Sequence, residues 1–277
     1  MANIRQFENA VEAKKDQEYL EALNELLFQL ADDDFILAYR GSEWLGLAPH
    51  IEEDVAFSSM SQDTMGHAVM FYGMLEQLGA GKADDLSQLR SATDFRNAVL
   101  VERKNGTGHY MEEPHYDWAY AIVRWFFYGL FKQVRLESLT HSSYLPLVQV
   151  SKKILTEHRY HLYHLQVWMN QLANSTAEAR KRLSIAIEKV WADVGGVFLL
   201  GPKASEIVGF GLLEGEDLLT QRWIERAKKA FDDYKISWIG KPDVSEWNGR
   251  NGQHSAELAE AVATLSEVYR LDPTAGW

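Results

Sequence analysis

Long runs of this chain carry apolar residues at helical spacing, and few segments alternate apolar with polar. In the first run, Glu18 to Tyr39, the residues Leu20, Leu23, Leu26, Leu27, Leu30 and Leu37 form one stripe. The Gly41 to Pro49 region breaks it. A second helix is expected from Ile51 to Leu78, stopped by Gly79 and Gly81, because glycine tolerates the left-handed conformation that ends a helix. A short helix is expected near Phe95 to Arg103, ending at Asn105-Gly106. Two more long helices follow, about Tyr116 to Thr140 and Leu145 to Leu172. Further helices are expected at Ala177 to Gly195, Asp217 to Tyr234 and Ala256 to Leu271. With only six prolines in 277 residues, little interrupts them. The four long helices, paired first with second and third with fourth across a longer crossover, point to an all-α four-helix bundle with extra C-terminal helices. No linker or low-complexity segment divides the chain, so 1–277 reads as one domain.

Composition limits the function classes. Apolar residues make up 46% of the chain, enough for a sizeable core. The net charge of −12 repels a phosphate backbone and an anionic membrane surface. A local basic patch at Lys152, Lys153 and Arg159 could still hold a small anion. There is no cysteine, which excludes disulfides, thiolate nucleophiles and iron–sulfur ligation, and fits a reducing cytoplasm. The first 16 residues lack the apolar core of a signal peptide. The run Ala119 to Phe131 is broken by Arg124 and is too short to span a bilayer.

A four-helix carboxylate bundle that binds two irons offers, in each half, a carboxylate on one helix and Glu-x-x-His on the next. Residues i and i+3 share a helix face, so one carboxylate and one imidazole reach the same metal. Here the first half offers Asp34, then Gln62-Asp63-Thr64-Met65-Gly66-His67, with Thr64 in the glutamate position. Asp63 points about 100° away around the helix. The second half reads Glu157-His158-Arg159-Tyr160-His161, with His158 in the glutamate position. Its partner helix has Arg124-Trp125-Phe126-Phe127-Tyr128 where an acid is needed. Asp34, Thr64, His67, His158 and His161 therefore stand at vestigial ligand positions. Iron in such sites wants several hard oxygen ligands, so the expectation is no metal, no cofactor and no catalytic residue in this chain. Arg124 would neutralise Asp34 if it points inward.

Two other readings stay open. Asp34, His67, His158 and His161 could hold one zinc in a rewired site, making the chain an independent metalloenzyme. The bundle groove and its basic residues could also bind an acyl-CoA. His164, three residues beyond His161, reads as a surface or interface residue. Gly209-Phe210-Gly211 to Gly215 follows no strand, which counts against a dinucleotide fingerprint. Ser142 and Ser143 beside His141 read as helix caps rather than as a nucleophile with its base. The aromatic helix (Trp118, Trp125, Phe126, Tyr128, Phe131), with Trp168 on its neighbour, is either core or a subunit interface.

The order of several markers resembles a known family. They are Gly41-Ser42-Glu43-Trp44 with Ala48-Pro49, Leu100-Val101-Glu102 before Asn105-Gly106, Arg159-Tyr160-His161, Trp168 and Trp191. The tail adds Gly249, Gly252, His254, Leu258, Leu265, Glu267, Arg270, Pro273 and Trp277. Nearly end to end, the chain resembles the non-catalytic structural subunit of the bacterial phenylacetyl-CoA epoxidase complex (the PaaC type). That resemblance implies a ferritin-like fold and a cytoplasmic role in aerobic phenylacetate degradation. The implied partner is a catalytic di-iron paralogue that epoxidises the aromatic ring with dioxygen, electrons coming from a flavin and iron–sulfur reductase. A homodimer in the paralogue's absence is a further expectation; nucleic acid and membrane are not expected partners. In the catalytic paralogue the element Gln62 to His67 takes the form Gln-Asp-Glu-x-Gly-His, so Thr64 departs at a ligand. Residues 1–16 read as an N-terminal extension.

Overall fold

The computed structural model describes residues 5–275. Among them the helices run α1 Ala10–Ala13, α2 Gln17–Ser42, α3 Ile51–Leu78, α4 Ala83–Gln88, α5 Val99–Glu102, α6 Trp118–Leu139, α7 Leu145–Asn174, α8 Ala177–Val194, α9 Ala204–Gly209, α10 Glu216–Asp233 and α11 Ala256–Leu271. A two-residue ladder, β1 Gly106–Thr107 against β2 His115–Tyr116, is the whole of the sheet among the described residues. The fold is all-α, of the ferritin-like kind. None of these helices is long and apolar enough to cross a membrane.

The sequence signals act as expected at the ends of the long helices. Asp16 caps α2 by accepting the Tyr19 N–H at 3.2 Å. Gly79 ends α3 at φ +88°, and its N–H and that of Ala80 satisfy the last carbonyls. Asp117 and Thr176 cap α6 and α8 through their side chains. Ser142 and Ser143 do not cap α7, whose N-cap residue is Tyr144. The hydroxyl of Ser142 instead accepts the Tyr144 N–H, one step ahead of the helix. The helix expected from Phe95 to Arg103 shrinks to α5, because residues 95–98 are extended and the N–H groups of Arg96 and Ala98 go to Asp32 and Asp33 of α2.

The chain forms two compact units. Of the described residues, one comprises 10–104, 201–203 and 247–275. Its spine is the antiparallel hairpin of α2 and α3, which brings Phe35 edge-on to Tyr72 with ring centroids 5.9 Å apart. The other unit comprises residues 5–9, 105–200 and 204–246, with the hairpin of α6 and α7 as its spine and α8 and α10 packed on α6. Trp118 lies edge-on to Trp168 at 5.4 Å across that hairpin.

Within the second unit, the aromatic residues of α6 are spent on the core. Phe127 meets Trp191, Trp223 and Phe231, and Phe131 meets Phe198. The Trp223 indole donates to the Phe127 carbonyl at 3.0 Å. Trp125, Phe126, Tyr128 and Phe131 are all buried. The alternative reading of α6 as a subunit interface is therefore corrected for these four residues: their side chains are buried within the chain.

Candidate functional site

Three consecutive aspartates on α2, Asp32, Asp33 and Asp34, are fully buried. Successive residues point about 100° apart on a helix, so each must find its own partner, since a lone buried carboxylate is far too costly. Asp32 accepts from the Arg90 guanidinium, the Tyr72 hydroxyl and the Arg96 N–H. Burial and the Asp32 charge push the Tyr72 phenol well up. Asp33 accepts both terminal nitrogens of Arg250, at 2.8 and 2.9 Å, and the Ala98 N–H at 2.7 Å. Asp34 faces His67 on α3, with carboxylate and imidazole 4.0 Å apart.

The structure thus brings Asp34 and His67 together, as their frame predicts. Thr64, one turn before His67, is buried, and its hydroxyl donates to the Met60 carbonyl of its own helix at 2.8 Å. That bond fills the hydroxyl's donor role locally, as threonine does within helices.

The corresponding frame of the other unit has a different chemistry. His158 is buried on α7, and its Nε2 lies 2.7 Å from the Gly129 carbonyl on α6. A carbonyl only accepts, so Nε2 carries the proton. Burial, with Lys132 next in weight, pushes His158 down to about 3, so the ring is neutral at ordinary pH. His161 is buried one turn on, its ring centroid 6.1 Å from that of His158. His164 is half-buried. Arg124 is fully buried, donates to Asn105 at 2.6 Å and lies 5.2 Å over the Tyr120 ring. Among the described residues, no group of three or more His, Cys, Asp or Glu side chains could hold a metal ion.

A second buried polar cluster escapes sequence reasoning. Glu102 accepts from Asn97, from the Ser255 N–H and from His254 at 2.8 Å. The other ring nitrogen of His254 faces the Phe95 carbonyl at 3.0 Å. Arg40 donates to the Glu102 carbonyl at 2.9 Å and to Glu43 at 2.9 Å. These bonds tie the segment after Trp247 to α2 and to residues 95–102. They also explain two tail glycines. A side chain on Gly249 would meet the Asn97 carbonyl at 2.0 Å, and Gly252 sits at φ +75° against the Thr93 carbonyl. No helical or strand spacing links Glu102 to His254, so the sequence carries no local signal for this cluster.

A family model described as phenylacetic acid catabolic protein matches residues 7–277. The chain belongs to that family. The match takes in Phe7, so most of the segment read as an extension lies within the family pattern. Phe7 itself is buried and bonds backbone-to-backbone with Ser143 and Leu145. The chain is also 25% identical, over 250 residues, to the C component of the 1,2-phenylacetyl-CoA epoxidase of Escherichia coli strain K12. That alignment covers 90% of this chain and 96% of the relative. Of the residues on which the resemblance rests, Glu102, Gly249, Gly252 and His254 belong to the buried cluster, and Trp191 to the aromatic core around Phe127. Trp277 lies outside the described residues.

Proposed function

We propose that this chain is the non-catalytic structural subunit of a multicomponent ring-1,2-phenylacetyl-CoA epoxidase, one ferritin-like domain that pairs with a di-iron catalytic subunit in cytoplasmic phenylacetate degradation. What carries the reading is the state of the two positions where a carboxylate is needed. The Thr64 hydroxyl is bonded to its own helix, and His158 is a neutral histidine bonded to the Gly129 carbonyl. Neither offers the hard anionic oxygen that iron requires there. The donor set of this chain therefore does not fit a di-iron centre, and the iron belongs to the partner. The family match supports the pathway, and the E. coli relative's place in an epoxidase supports the complex.

The test is elemental analysis of the purified chain after anaerobic reconstitution with ferrous iron. The reading expects no tightly held iron. Two irons per chain overturn it, and one stoichiometric zinc would instead favour the rewired metalloenzyme.

A further inference from the structure

With the aromatic residues of α6 buried, the large exposed apolar residues lie elsewhere. On α3 they are Ile51, Val55 and Val69, each 61–75% exposed. At 100° per residue these three share, with Gln62, Gly66 and Gly73, an arc of about 60°. Gly66 and Gly73 need explaining, since glycine inside a helix costs about 1 kcal/mol relative to alanine. A Cβ at either would meet nothing within 4 Å. Gly129 on α6 is different: a Cβ there would press on Leu162 and approach His158, so the α6–α7 packing accounts for it. Nothing inside the chain uses the space that Gly66 and Gly73 leave. They make shallow holes on an exposed face, flanked by Glu52, Asp54, Asp63 and Glu76, and α3 has no lysine or arginine.

The outward face of α7 has the opposite character. Tyr160, Tyr163 and Val167 are 48–75% exposed and follow one another at spacings of three and four. With Lys153 and Thr156 they fall within about 80° of arc, and Lys152 and Arg159 flank them. No ion pair engages Lys152, Lys153 or Arg159 among the described residues. In a chain of net charge −12 this helix carries three strong cations against the one acid Glu157.

One helix thus presents holes with acidic flanks, and the other presents aromatic knobs with basic flanks. We propose that α3 of one copy of this chain packs against α7 of another, with Tyr160 and Val167 seated over Gly66 and Gly73, each pair being seven residues and about 10 Å apart along its helix. Shape and charge match independently, and each pairs α3 with the α7 of a second copy. Pairing α3 with its own counterpart would instead oppose acid to acid. This inference concerns the chain alone and does not depend on the epoxidase reading.

Sedimentation velocity of the full-length chain, without any paralogue, tests it. Self-association is expected below about 100 µM, weakening at least about tenfold between about 50 and 500 mM salt as the flanking charges are screened. Gly66→Leu should raise the thermal midpoint of the monomer, because the site is open, yet weaken association at least tenfold, about 1.4 kcal/mol. Reversing α7 (Lys152→Glu, Lys153→Glu, Arg159→Glu) or α3 (Gln62→Lys, Glu76→Lys) should each abolish association, with circular dichroism confirming the fold. A chain carrying both reversals should associate again. A wild-type chain that stays monomeric, or a doubly reversed chain that does, overturns the proposal. So do substitutions that spare self-association and break only the capture of a paralogue.

Discussion

Arg250 sets its guanidinium against Asp33 of α2, both terminal nitrogens within 2.9 Å of the carboxylate, and neither side chain reaches solvent. The same guanidinium donates to the Arg96 carbonyl at 2.6 Å, so one residue near the C-terminus ties α2 to the extended segment before α5. A buried pair of this kind contributes little over an apolar pair of equal size, but removing one partner strands a charge. Arg250→Met should therefore cost about 3–5 kcal/mol in urea unfolding. Adding Asp33→Leu should give a double variant more stable than the sum of the single costs, with coupling of about 2 kcal/mol. Additive costs would mean that the two residues act separately.

The glycines give opposite forecasts from one substitution. Gly249→Ala drives a Cβ into the Asn97 carbonyl, a backbone atom that cannot swing aside. It should destabilise by at least about 2 kcal/mol, as backbone strain and overpacking do. Gly66→Ala meets open space in mid-helix and should stabilise by about 1 kcal/mol. Paired thermal melts compare them directly. Equal shifts of the same sign would contradict the packing described around Gly249.

Much of the fold was legible in the sequence because apolar periodicity and capping are local. Ile51–Leu78 and Ala256–Leu271 match their expected bounds, and the ends of α6, α7, α8 and α10 fall within two residues. The expected helix from Phe95 to Arg103 fails because residues 95–98 are held extended by Asp32 and Asp33, more than sixty residues earlier in the chain. Propensity cannot register so distant a partner. The Asp34–His67 contact was legible from i, i+3 spacing and hairpin register. The Arg250 and His254 contacts were not, since no periodicity links position 33 to 250 or 102 to 254. The aromatic helix was ambiguous for a different reason: uniform apolarity signals burial without saying what does the burying.

His158 makes a pH forecast. Its folded value is pushed down to about 3 from 6.5, chiefly by burial, so the folded state resists a proton that the unfolded chain accepts. The stability this group contributes is fully present above pH 6.5 and is lost as pH falls below it, at a slope of up to about 1.4 kcal/mol per unit. Urea unfolding of the wild type between pH 6.5 and 4 should therefore show a steeper loss than His158→Gln, which keeps a donor for Gly129. Parallel slopes for the two proteins would show that His158 is not buried as a neutral ring.

Thr64→Ala removes only a hydroxyl bonded within its own helix. It should cost no more than about 1.5 kcal/mol of stability, and the assembled complex should keep most of its turnover. His158→Ala should likewise spare turnover where the chain still folds, although its cost in stability is larger. Loss of activity in a folded, assembled complex carrying either change would mean that the position takes part in the chemistry.

On the proposed function, this chain supports a di-iron partner without holding iron itself. The direct measurement is epoxidation of phenylacetyl-CoA by the purified catalytic paralogue and its reductase, titrated with this chain. Turnover should be low without the chain, rise on adding it, and saturate near equimolar ratio. A paralogue whose turnover is the same with and without the chain would contradict it.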